Sequence, residues 1–230
     1  MSHHQKRFPN ETEAYRRARD ELLNFEVDLR QRIAKLGELR RALPLGGALK
    51  EDYIFQEFDS EENIVSTRFS DLFSKGKNTL LIYSFMYGPQ MEQPCPACTS
   101  LIDGFSGIIE HLEDRIDVAI IARSPIERIE AFADTRRWKN LRLLSSAENT
   151  YNADYFAETE EGVQLPAANV FTRNENGIFH FFNTELLYAD LEGHPRHMDL
   201  AWPIWNILDM TPEGRGDNWG PKLRYEKLRY

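Results

Sequence analysis

The chain has 230 residues, 41% hydrophobic and 12% aromatic, which is enough apolar material for one large domain or a smaller domain with appendages. A formal net charge of −9 argues against nucleic acid and anionic membrane surfaces as general partners. No run approaches the roughly 18 apolar residues of a membrane-spanning helix, and Met1 to Asn10 is too polar for a signal peptide. With only two cysteines a secreted disulfide scaffold is not expected, so a cytoplasmic location follows, with any redox pair held largely reduced.

The first predicted element is a long helix from about Glu11 to Ala42. Tyr15, Ala18, Leu22, Phe25, Leu29, Ile33 and Leu36 recur at spacings of three and four, an apolar stripe about three heptads long on an otherwise charged helix. Two readings stay open: the stripe packs on the chain's own domain, or it is a homodimer arm. Pro44, Gly46 and Gly47 end this segment as a linker. The expected organisation is an arm and linker over residues 1–50, a domain over 51–215, and an irregular tail over 216–230.

The domain opens with a predicted hairpin, Tyr53–Phe58 and Ile64–Ser66 around Asp59-Ser60-Glu61-Glu62-Asn63. A short helical turn at Ser70–Phe73 precedes a strand over Asn78–Ser84. Next come Cys95-Pro96-Ala97-Cys98, which hold both cysteines of the chain. From Cys98 the apolar residues Leu101, Ile102, Phe105, Ile108, Ile109 and Leu112 fall on one helix face. Pro96 suits the first helical position, where its missing N–H costs nothing, so Cys95 is the expected N-cap. There its sulfur meets unpaired amides and the positive end of the helix dipole, which favour thiolate. Cys98 lies one turn on, on the apolar face. A Cys-x-x-Cys between strand and helix is the arrangement of a thiol–disulfide redox site, with Cys95 attacking and Cys98 resolving.

Asp117–Ala122 is nearly continuous in apolar residues, as in a strand covered on both faces. Ser124-Pro125-Ile126-Glu127 reads as a capping box that starts a helix. Leu141–Ser145 is a further strand. A second hairpin joins Val170–Thr172 to Ile178–Phe182 through Asn174-Glu175-Asn176-Gly177, and a last helix covers about Arg196–Leu208. The resulting fold class is α/β, a mixed sheet flanked by helices with a long N-terminal helix.

These residues resemble the thioredoxin-like superfamily in its peroxiredoxin and alkyl-hydroperoxide-reductase branch. The nearer resemblance is to an uncharacterised bacterial family of predicted dithiol–disulfide oxidoreductases. It is carried by Arg41-Ala42-Leu43-Pro44, Tyr53-Ile54-Phe55, Phe85-Met86-Tyr87-Gly88-Pro89, Cys95-Pro96-Ala97-Cys98, Asp103-Gly104-Phe105 and the run Asp209 to Arg215. The superfamily implies a cis-proline facing the cysteines, and Pro166 holds the matching position; an ordinary trans loop proline is the plain alternative. The chain departs from thioredoxin in having Pro94 before the first cysteine and Pro96-Ala97 between the two. It departs from peroxiredoxins in having Glu92 three residues before Cys95, where they carry Thr or Ser, so the motif does not support peroxidase activity. The long loop from Met86 to Pro94 is a candidate specificity lip, with Tyr87 and Met91 lining the approach to the thiols.

Other chemistry is weaker. His194-Pro195-Arg196-His197 would complete a Cys₂His₂ zinc set with Cys95 and Cys98, but the intervening proline and the long sequence gap favour solvated histidines. His180 reads as a half-buried sheet residue, and the four tryptophans as core or rim aromatics. Asp103 is either a proton shuttle or, more simply, a solvated helix residue. No phosphate-binding glycine loop and no nucleophile elbow is present, so no cofactor or metal is expected. The functional expectation is an oxidoreductase acting on a protein or small-molecule disulfide, with Cys95, Cys98 and Pro166 at its site. The alternative is a non-catalytic thioredoxin-like binding module whose cysteines are structural or hold metal.

Overall fold

A computed structural model describes residues 3–192 and 196–226. The chain divides into two units, residues 1–44 and 45–230.

The first unit is helix α1, Glu13–Arg41. It starts where Thr12, in extended backbone, accepts the amide of Tyr15, an N-cap that satisfies one orphan donor. Arg16 is bracketed by Glu11 and Asp20 at the same end. Arg40 and Arg41 close the last turn, where positive charge suits the helix dipole. The unit is one helix and its lead-in, so it has no second layer to bury the stripe of Leu22, Phe25, Leu29 and Ile33.

The second unit is built on seven strands: β1 Ile54–Phe58, β2 Ile64–Arg68, β3 Thr79–Ser84, β4 Asp117–Ala122, β5 Leu143–Ser145, β6 Ala167–Asn174 and β7 Gly177–Asn183. They lie in the order β2-β1-β5-β4-β3-β6-β7. The centre, β5-β4-β3, is parallel, and both flanks are antiparallel hairpins. Helices α2 (Pro96–Ser106) and α3 (Ile109–Glu113) connect β3 to β4, and α4 (Ile126–Arg136) connects β4 to β5. Short helices α5 (Tyr151–Asp154) and α6 (Pro203–Leu208) follow. This is the expected thioredoxin-like sheet.

Strand periodicity divides the core. Along β3, Leu80 and Ile82 face one side, while Tyr83, with Phe85 beyond it, faces the other; β4 does the same with Ala119 and Ile121 against Val118, Ile120 and Ala122. One side is an aromatic cluster of Tyr53, Phe55, Phe69, Tyr151 and Phe171. The opposite side holds Cys98, Leu101, Ile102 and Phe105 of α2 with Ile126 and Ile129 of α4. All six residues of β4 are buried, as its apolar run requires.

Four boundaries differ from expectation. The cysteine helix is not continuous to Leu112: it stops at Gly107, a poor helix former, and resumes as α3. The break resets the helical phase, so Ile109 stays in the core while Ile108 turns out to 45% exposure. Ser124 does not cap α4. Its Oγ donates to the Gly88 carbonyl at 3.2 Å, which commits the side chain to the preceding loop, and Pro125 takes the cap position. The last helix begins only at Pro203, because Trp202 before it is extended, as residues preceding proline prefer; a 3₁₀ turn, Asp199–Ala201, stands upstream. Finally, the linker beyond Pro44 belongs to the second unit, since the Gly46 and Leu49 amides donate to the carbonyls of His180 and Ile178 and so extend the sheet beside β7. Among the described residues, no helix is long and apolar enough to cross a membrane.

Phe171 is fully buried and stands edge-on to Phe69 at 4.8 Å and to Tyr155 at 4.9 Å. Phe171→Ala is expected to cost about 3–5 kcal/mol, seen as a lower urea midpoint at unchanged m value. A loss below about 1 kcal/mol would mean that the aromatic cluster is not packed as described.

Candidate active site

The backbone sets the two cysteines apart. β3 ends at Ser84, and the chain runs on through residues 85–94 before α2 begins. The Cys95 amide donates to the Met86 carbonyl at 3.0 Å, so the loop closes on itself at the first cysteine. Cys95 is the N-cap of α2 and Pro96 is its first residue, as the sequence predicts. The Cys95 carbonyl accepts both the amide and the hydroxyl of Thr99, at 3.0 and 2.9 Å, which fixes the first turn.

That geometry makes the two thiols unlike each other. Both are free, Cys95 half-buried and Cys98 buried. The Cys98 amide points at the Cys95 sulfur at 3.5 Å. The Cys98 thiol beside Cys95 pulls its pKa down to about 6, against the opposing effect of burial, and the amides of Cys98 and Ala97 assist. Cys98 moves the other way: its proton is held by the Cys95 sulfur, and burial adds to the rise. Near neutral pH the pair therefore shares one proton between two sulfurs.

Tyr83 is the residue that sequence reasoning missed. It is 1% exposed, and burial together with the charge of the neighbouring thiols holds its phenol well above the usual range. It stays a neutral donor, and its hydrogen bond favours the Cys98 thiolate. The available signal was its place on β3, two residues before Phe85 on the face that receives the cysteine helix.

The loop of residues 85–94 is pinned along its length. Ser124 donates its amide to Tyr87 and its hydroxyl to Gly88. Arg128 reaches from α4 to the carbonyls of Pro89 and Met91, at 3.2 and 2.7 Å, with its guanidinium 4.7 Å above the Tyr87 ring. Met91 turns inward, and its sulfur accepts the Gly88 amide at 3.2 Å. Tyr87 is buried and Met91 half-buried, so the proposed lip is a rigid rim.

Pro166 stands at the same end of the sheet as the cysteines. It directly precedes Ala167, which pairs with Ser84 at the end of β3. Nearby, a Cβ on Gly88 would stand 2.9 Å from Gln164 Cγ, so the two loops touch. The Leu165–Pro166 bond, however, is trans, because the described residues contain no cis peptide. This corrects the expected cis-proline. The segment before Pro166 is folded on itself, with Glu158 bridged to Gln164 and the Leu165 amide donating to Ala157 at 2.8 Å, and the chain then runs straight into β6. An extended entrance of this kind is compatible with the trans bond that X–Pro prefers.

Asp103 is half-buried and carries a structural contact rather than standing free on the helix. It pairs with Arg136 and accepts the Trp138 indole N–H at 2.9 Å, so it fastens α2 to the end of α4. Trp138 and Trp202 are core residues, and the Trp202 indole donates to Ser100 on α2 at 3.0 Å. His180 lies flat against Tyr155, with its Nε2 3.0 Å from Asn169 Oδ1. The zinc alternative needs His194, which lies outside the described residues. Among the described ones, no group of three His, Cys, Asp or Glu is arranged to hold a metal.

Over residues 5–229 the sequence matches the family described as bacterial protein of unknown function (DUF899). The chain belongs to this family. No curated protein matches it. Similar solved structures include the peroxidoxin BcpB of Mycobacterium tuberculosis, 17% identical over 70% of this chain and 95% of that one, with a TM-score of 0.45. The reduced 2-Cys peroxiredoxin of Plasmodium vivax is 15% identical over 72% of this chain and 96% of its own, at 0.47. A peroxiredoxin-like protein of Aquifex aeolicus is 13% identical over 61% and 75%, at 0.43. These likenesses are distant, and the fold reading rests on this family member's own strand order.

A thiol with a pKa of about 6 is mostly thiolate at neutral pH. Alkylation of Cys95 is expected to be fully developed at pH 7.5 and to fall as pH drops through about 6, while Cys98 stays unreactive across this range. The depression at Cys95 stabilises the reduced folded state between the folded value and the ordinary thiol range and is lost as pH falls through the folded value, while above the ordinary range the raised Cys98 pKa opposes it. Cys98→Ala removes the proton donor and should move the Cys95 midpoint upward. A wild-type midpoint near about 8.5 would contradict the site as described.

Proposed function

We propose that this family member is a dithiol–disulfide oxidoreductase. The supporting observation is the inequality of its thiols: Cys95 is half-exposed with its pKa lowered to about 6, while Cys98 lies buried one turn behind it with its pKa raised. A structural pair has no need of that difference, whereas a nucleophile and its resolving partner require it.

In the proposed cycle, the Cys95 thiolate attacks one sulfur of a substrate disulfide. A Cys95–substrate disulfide forms, and the other substrate sulfur leaves as a thiolate with the electron pair. Cys98 then loses its proton and attacks the Cys95 sulfur, which closes the Cys95–Cys98 disulfide and releases the second thiolate. The chain is oxidised by two electrons and the substrate is reduced to two thiols. Tyr83 stabilises the Cys98 thiolate during resolution. Pro166, on the adjoining loop, flanks the position where the mixed disulfide forms. A reducing cytoplasmic compartment would return the dithiol to its working state.

The arm is proposed as a homodimer contact. Its stripe repeats at spacings of three and four with charges of both signs beside it, and an identical copy offers the same stripe in return. The full chain is expected to sediment as a dimer at micromolar concentration and residues 45–230 as a monomer; a monomeric full chain would refute the contact.

Cys98→Ser should trap the mixed disulfide, detectable by mass spectrometry after exposure to a small disulfide, and Cys95→Ser should form none. Slow, equal alkylation of both thiols with no adduct would favour the binding-module reading.

A further inference from the structure

We propose that a cleft beside the dithiol selects small disulfides that carry carboxylates. This inference rests on the oxidoreductase reading and names its substrate class. The cleft has a volume of about 400 Å³ and lies between the 85–94 loop, α4 and the C-terminal tail. Its lining includes Tyr87, Gln93, Arg128, Phe132, Arg136 and Arg224. That volume is within the usual range for small-molecule sites.

Its position follows from chain connectivity. Gln93 is two residues from Cys95, so the two Cα atoms are no more than about 7 Å apart. Tyr87 adjoins Met86, whose carbonyl holds the Cys95 amide. The cleft thus abuts the loop that ends at Cys95, although neither cysteine is part of its lining.

The charge is the telling feature. The chain carries a formal net charge of −9, yet three guanidinium groups and no carboxylate line this cleft. Arg136 is neutralised by Asp103. Arg128 spends its hydrogen bonds on carbonyl oxygens and has no carboxylate partner among the described residues. Arg224 has no carboxylate partner among the described residues. It is brought to the cleft because Arg136 also donates to the Leu223 carbonyl at 3.0 Å, tying down the tail. Two net positive charges against the Tyr87 and Phe132 rings suit a short aliphatic chain ending in carboxylate. A disulfide bearing such a chain would place its carboxylate on Arg224 and Arg128 and its sulfur toward Cys95.

The test compares oxidation of the reduced full chain by 3,3′-dithiodipropionate, a dianion, with oxidation by the neutral bis(2-hydroxyethyl) disulfide. Each rate is divided by that of 2-mercaptoethanol thiolate with the same reagent. The normalised preference for the dianion is expected to be about tenfold or more at low salt and to shrink in 0.5 M salt. Arg224→Glu should abolish it by lowering the dianion rate far more than the neutral rate, and Arg224→Lys should restore part of it. Equal normalised rates in the wild type, or an equal loss of both rates in Arg224→Glu, would overturn the proposal. Binding of 3,3′-thiodipropionate, which has no disulfide, provides a separate readout by calorimetry. Charge-dependent binding without exchange of either disulfide would support the cleft and bring down the oxidoreductase reading; exchange with the neutral disulfide but no binding would do the reverse.

Discussion

The structure turns on the hydrogen bonding of one residue, Cys95. Its amide is bound by Met86, its carbonyl by Thr99, and its sulfur faces the amide and thiol of Cys98. The loop that leaves β3 and the helix that returns beneath it are thereby joined at a single point. The first turn of a helix leaves amides without partners inside the fold, and here the sulfur serves as the cap. The same contact ends one element, starts the next and creates the reactive group.

Two anchors keep that contact in place. Ser124 ties the loop to the end of β4, and the Asp103–Arg136–Trp138 cluster ties α2 to α4. Both lie on the sheet face that carries the cysteines, while the aromatic cluster fills the opposite face. The division is a direct result of strand alternation in β3 and β4. It separates the part of the core that supports the dithiol from the aromatic cluster around Phe69 and Tyr151.

Much of this was legible in the sequence, and the failures share a cause. Pattern reasoning found β3, β4, the hairpins and Cys95 as N-cap, because each depends on local periodicity or on Pro96. It misjudged Ser124 and Asp103, whose side chains serve distant partners: a capping serine and a solvated aspartate are indistinguishable by spacing from residues that bind Gly88 and Arg136. It ran α2 past Gly107 because the apolar offsets stay compatible with one helix until Ile108 must choose a side. Tyr83 was read only as a strand residue, since nothing local shows that a thiol lies above its hydroxyl. The cis expectation at Pro166 came from resemblance, and the bridged loop before it takes the commoner isomer. The placement of Pro166 at the cysteine end of the sheet nonetheless follows from the pairing of Ala167 with Ser84.

The dependence of Cys95 on its surroundings also bears on biosynthesis. The groups that build the dithiol end of the sheet come from stretches far apart in the chain: Tyr83 and Met86, Ser124 and Arg128, and Ala167. Pairings of such sequence separation form late, after the entropy of closing the intervening loops has been met. Until then both cysteines are ordinary thiols, mostly protonated at neutral pH. A chain still on the ribosome therefore holds a latent nucleophile, which ripens only when the sheet and its covering helices have come together.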